Sequence, residues 1–183
     1  MRLAKLEIAL QDWAGTPCGC GRSAGHVAED LLRIAQGQAR SAVGALEGHA
    51  WSVPVLFLPA PAVTSVALAA LADDIPPEAR DQFLDLLLYM VAGDGTDFEG
   101  AARGLDLPAL CRDIAAQGLW LLYREVASGR SVPAAGTAFE ILTVVETNRA
   151  RLHRVRDNSG ELLPGHCRSG LCDDEWPADE GKN

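Results

Sequence analysis

Residues 77–93 read PEARDQFLDLLLYMVAG. Proline is tolerated in the first turn of a helix, where its missing N–H has no partner to lose, so Pro77 suits a helix start. Phe83, Leu84, Leu87 and Val91 recur at helical spacing and share one face. A half-buried strand would instead alternate apolar and polar residues. Gly93 and Gly95 end the pattern. The stretch is therefore read as a full-length helix packed against others.

The same grammar repeats on both sides. Upstream, AVTSVALAALA (62–72) follows Pro61 and is punctuated by Ile75-Pro76-Pro77. Before it, HVAEDLLRIAQ (26–36) places Val27, Leu31 and Ile34 on one face, and SAVGALEGHAW (41–51) forms its partner. Leu3, Leu6, Leu10 and Trp13 predict a short opening helix. The VLFL run at 55–58 is too short and too proline-bounded for a central strand and is read as a buried connection or helix start. Downstream, the loop DGTDFEGAARG (94–104) leads to Asp106 as an N-cap with Pro108 in the first turn. One long helix is expected over LPALCRDIAAQGLWLLYREVAS (107–128). After Gly129, Ser131 caps a second long helix through AAGTAFEILTVVETNRARLHRV (134–155). Three hairpins emerge, at about 26–51, 60–92 and 108–153, and short turns make neighbouring helices antiparallel. Helix pairs repeating every ~30 to 45 residues are the mark of an α-solenoid. The expected fold is thus all-α, a HEAT-like solenoid of antiparallel hairpins, with a compact helical bundle as the alternative. Residues 1–157 form the helical domain; 158–183 are read as an acidic, cysteine-containing irregular tail, packed through Leu162, Leu163 and Trp176.

Composition agrees. The 183 residues are 48% hydrophobic but only 5% aromatic. Such a length suffices for one domain with its own core. The formal net charge of −9 opposes binding to nucleic acid or an anionic membrane and favours a basic partner. No apolar run reaches the ~18 residues of a membrane span, and the first 13 residues lack a signal-peptide pattern. Five cysteines without an export signal fit a reducing, cytoplasmic setting.

Several stretches carry a family resemblance: Trp13 with CGCGRSAGHVAEDLLR (18–33), LEGHAW (46–51) leading to PAPAVTSVALAALA (59–72), PPEARDQFLDLLLYMVAGDG (76–95), and LCRDIAAQGLWLLYREVASG (110–129) with VPAAGTAFEILTVVE (132–146). Together they resemble the short HEAT-like helical-repeat proteins common in actinobacteria. Some of those look like immunity proteins encoded beside secreted polymorphic toxins. The resemblance implies a non-catalytic protein that binds and inhibits a cognate toxin domain, and it supplies no catalytic residue. The cysteines near Cys18 and in the tail depart from the pattern.

Candidate site residues follow from the polar faces. Glu78, Asp81, Asp85 and Tyr89 fall in one stripe, as do Asp113, Gln117, Trp120 and Arg124, and Glu140, Thr143 and Thr147. An aromatic on a polar stripe suits a binding hot spot, so Glu78, Asp81, Asp85, Tyr89, Asp113, Trp120 and Glu140 are the expected partner-binding residues, facing a basic toxin domain. A general scaffold or adaptor is the alternative. Cys18, Cys20, Cys167 and Cys172, with His26 or His166, could hold zinc if the two chain ends met, which would make a zinc-dependent regulator. Their spacing matches no compact finger, so no cofactor is expected. Cys111 reads as a small core residue, and Asp94, Asp97 and Glu99 lack the spacing of a calcium loop.

Overall fold

A computed structural model describes residues 1–173. It is mainly helical: α1 (Arg2–Leu10), α2 (Gly25–Ala35), α3 (Ala42–Leu46), α4 (Ala60–Ala72), α5 (Pro77–Ala92), α6 (Phe98–Ala102), α7 (Leu107–Ala116), α8 (Leu119–Ala127), α9 (Val132–Val145), α10 (Arg149–Ser159) and α11 (Gly165–Arg168). Three two-residue strands complete it: β1 (Trp51–Ser52), β2 (Val55–Leu56) and β3 (Gly95–Thr96). β1 pairs antiparallel with β2, and β2 parallel with β3. The apolar 55–58 run thus contributes half of its length to a minimal sheet.

α5 is the hub. It packs against α2, α3, α4, α7 and α9, which explains why Phe83, Leu84, Leu86, Leu87, Met90 and Val91 are all fully buried. α4 lies beside it, and its Ala67 and Ala70 let neighbouring helices approach closely. Local signals place the helix starts. The Asp106 carboxylate accepts from the Ala109 N–H at 3.0 Å and the Ser131 hydroxyl from the Ala134 N–H at 3.1 Å; each such cap stabilises its helix by ~1 kcal/mol.

Four expectations need correction. First, Leu3, Leu6 and Leu10 face outward on α1, while Ala4 and Ile8 pack inward; the small Ala4 allows close docking on α4, and Trp13 alone of that set is buried. Second, the 107–128 helix breaks at Gln117-Gly118. A Cβ at Gly118 would lie 2.5 Å from Leu68 Cδ2, so the break is where the chain passes closest to α4. Third, the 134–155 helix breaks after Val145, because buried Glu146 accepts the Asn148 N–H at 2.6 Å and Asn148 then caps α10; Thr147 therefore leaves the Glu140–Thr143 stripe. Fourth, residues 158–173 are not irregular. The chain forms a 3-10 turn (Gly160–Leu162) and α11, both packed on α9 and α10, with Leu163 and Cys167 buried. Trp176 lies outside the described residues. No helix among the described residues is long and apolar enough to cross a membrane.

Candidate functional sites

Two kinds of site stand out, an acidic stripe beside a mainly apolar groove and a pair of cysteine–histidine clusters. The groove is built on the outer face of α5. Glu78, Asp81 and Asp85 are exposed, and Tyr89 is 38% exposed. Burial pushes the Asp85 carboxyl above its ordinary range, and the charges of Asp81 and Glu140 push it further. The same holds for Asp81, raised by burial and then by Glu78. Asp85, Tyr89, Val43, Leu88 and Ala92 line a cavity of about 460 Å³. The Tyr89 ring stacks on Trp51 at 5.2 Å and also lines a second, apolar cavity of about 230 Å³ with Val53, Pro54 and Asp94. At its floor the Trp51 indole N–H is buried without an acceptor, a cost the fold carries there.

Of the seven expected partner-binding residues, Glu78, Asp81, Asp85 and Tyr89 lie on α5, and Asp113, Trp120 and Glu140 on α7, α8 and α9. Glu140 on α9 joins the α5 stripe electrostatically, but it also accepts from His166 Nε2 at 2.8 Å. Asp113 is exposed on α7 and bonds to none of the others. Trp120 is 73% exposed on α8. Its ring lies by Tyr123 at 5.7 Å and takes the Arg151 guanidinium at 5.3 Å. That cluster bridges α8 and α10. The nearby cavity of about 710 Å³ has Arg151 and Arg154 in its wall, opposite in sign to the α5 groove.

Two buried polar networks are structural. Arg80 donates to the Leu71 carbonyl and to Glu125, both at 2.8 Å, and Arg130 donates to Glu125 at 3.1 Å. Tyr123 donates to Glu146 at 2.7 Å, and Arg151 to the same oxygen at 2.6 Å. Burial opposes ionisation of Glu146, but the Tyr123 hydroxyl, the Asn148 N–H and Arg151 together hold its carboxyl below the usual range. Burial and the Glu146 carboxylate push the Tyr123 hydroxyl up to about 12.

The four terminal cysteines do not meet. Cys18 and Cys20 gather with His26 and His49, and Cys167 and Cys172 gather with Glu140 and His166. In the first group Cys18 Sγ lies 3.4 Å from His26 Nε2 and 3.3 Å from His49 Nδ1. His26 Nε2 lies 3.1 Å from His49 Nδ1 and 3.8 Å from Cys20 Sγ. In the second, the Cys167 and Cys172 sulfurs lie 2.8 Å apart, and burial raises both thiols. Cys111 is buried on α7, as its helical context implied, and burial pushes its thiol up to about 11.

His49 is the residue that sequence spacing missed. One helical hairpin separates it from His26: α2 carries the chain away and α3 brings it back, so a gap of 23 residues closes to hydrogen-bond distance. The Gly48-His49 turn just before Trp51 was the available signal. No family model, curated protein or solved structure matches the chain.

Proposed function

We propose that this protein is a non-catalytic binding protein whose α5 groove receives a basic partner, and that it acts as an immunity protein against a toxin domain. The observation that carries the reading is the pairing of Asp85 and Tyr89 on the wall of one groove. A rigid aromatic flanked by negative charge provides apolar area for a hot spot and a field that steers a cationic partner. The charges of Asp81 and Glu140 raise the Asp85 carboxyl and Glu78 raises that of Asp81, so a lysine or arginine placed beside Asp85 relieves repulsion already present in the free protein. The net charge of −9 acts in the same direction at long range.

We also read the helices as a short HEAT-like stack. The order supports it: α5 lies against α2 and α3 and also against α7 and α9, as the middle hairpin of three would. The contact surface is narrower than the sequence suggested, comprising Glu78, Asp81, Asp85, Tyr89 and the adjoining Glu140, without Asp113 and Trp120.

The test is growth. The product of the adjacent gene is expressed in a sensitive host with the wild-type protein or with Asp85→Lys. Rescue by the wild type and at least ~10-fold lower plating with Asp85→Lys are expected, a loss of ~1.4 kcal/mol or more in binding. Absence of toxicity, or equal rescue by both forms, overturns the reading.

A further inference from the structure

The loop before α2 is folded around its own cysteines. The Cys18 N–H donates to the Arg22 carbonyl at 2.8 Å, and the Gly21 N–H returns to the Cys18 carbonyl at 2.8 Å. This tight turn points Cys18 and Cys20 toward one centre. The Gly19 N–H then donates to the His49 carbonyl at 3.1 Å, locking the loop to the turn after α3. A Cβ at Gly19 would meet the Phe57 ring at 2.3 Å and the Gly48 carbonyl oxygen at 2.8 Å, so only glycine permits this approach. His26 enters from the first turn of α2.

The four donor atoms define the edges of a tetrahedron. Zn–S bonds of ~2.3 Å and Zn–N bonds of ~2.05 Å give S–N edges of about 3.6 Å and N–N edges of about 3.3 Å. Three of the four S–N separations are 3.3, 3.4 and 3.8 Å, the N–N separation is 3.1 Å, and all four donor atoms lie within 4.8 Å of one another. Sulfur and imidazole nitrogen in this geometry select zinc over calcium or magnesium, which take oxygen.

We propose that Cys18, Cys20, His26 and His49 bind one zinc ion as a closed structural site. Both thiols lose their protons to solvent on binding, so the two thiolates balance the dication. Each imidazole binds neutral, His26 through Nε2 with its proton on Nδ1, and His49 through Nδ1 with its proton on Nε2. All four positions are protein ligands, which leaves no open position for a substrate. The ion staples the 15–24 loop, the start of α2 and the α3–β1 turn to one another. The Cys167 group does not qualify on the same measure. Its sulfurs, 2.8 Å apart, are well inside the ~3.8 Å S–S edge of a tetrahedral zinc site.

The full chain, free of any polyhistidine tag, is purified, dialysed against zinc-free buffer and assayed by elemental mass spectrometry. About one zinc per chain is expected. After chelation, cobalt(II) replaces it and gives the visible absorption of a tetrahedral ion with a thiolate charge-transfer band. Cys18→Ser and His49→Ala lose the metal, whereas the double variant C167S/C172S keeps it. Chelation alone speeds tryptic cleavage after Arg22 at least ~10-fold while far-ultraviolet ellipticity is largely retained. Less than about one tenth of an equivalent of zinc after reconstitution overturns the proposal, as does retention of zinc by Cys18→Ser and His49→Ala. Should those variants fail to fold, the wild-type zinc content and cobalt spectrum decide.

Discussion

Glu146 shows how a single carboxylate can be buried and still charged. It is 3% exposed and receives hydrogen bonds from Tyr123, Asn148 and Arg151. Its folded carboxyl titrates below the ordinary range, so as pH falls the unfolded chain takes up this proton first. The stabilisation is complete above the unfolded value of about 4.3 and is lost as pH falls through the lower folded value. Urea melts over an acid series are expected to show this loss, and Glu146→Gln is expected to flatten that part of the profile. The Arg80–Glu125 pair behaves differently, since both members are buried. Glu125→Ala leaves the buried Arg80 with carbonyl partners but no counter-charge and is expected to cost ~3 kcal/mol or more in a urea melt. Legibility at this scale depended on range. Asp106 and Ser131 were readable as caps because a cap bonds three residues along the chain. His49 was not, because its partners lie 23 and 31 residues away.

Helices were read well where their long apolar residues are the ones that pack, and poorly where packing overrides periodicity. α5 carries apolar residues on most of its circumference because five helices surround it, and its existence was plain from 77–93. α1 shows the opposite case. Its leucines have the right spacing, but the small Ala4 is what docks on α4, leaving Leu6 59% and Leu10 70% exposed. The breaks at Gly118 and Glu146 were invisible for the same reason. Helical propensity runs through both, and only the approach of Leu68 and the bonding of Glu146 interrupt them. On α5 itself Asp81 and Asp85 stand one turn apart with like charge. Asp85→Asn is therefore expected to leave the free protein as stable or up to ~0.5 kcal/mol more stable while weakening partner binding. A thermal melt beside a binding isotherm checks both signs, and a structural role for Asp85 would instead lower the melting temperature.

Charge organises the whole molecule. The net −9 is not spread evenly: α5 carries Glu78, Asp81 and Asp85 with Glu140 nearby, whereas α10 carries Arg149, Arg151, Arg154 and Arg156. On the proposed reading this asymmetry orients a basic partner as well as attracting it, since α5 draws it and α10 repels it. The zinc site sits in a third place, at the end of the α2–α3 hairpin, and its removal is expected to loosen the 15–24 loop without erasing the α5 groove. Tyr89 ties these regions together, because its stacking partner Trp51 follows the His49 turn by two residues.

The most direct measurement is the affinity of the purified protein for the purified product of its adjacent gene, taken at low and high salt with wild type, Asp85→Lys and Tyr89→Ala. A one-to-one complex that weakens as salt rises is expected. Asp85→Lys should chiefly slow association, and Tyr89→Ala should chiefly speed dissociation, by ~10-fold or more. A complex indifferent to salt and to both substitutions, or no complex at all, would contradict it.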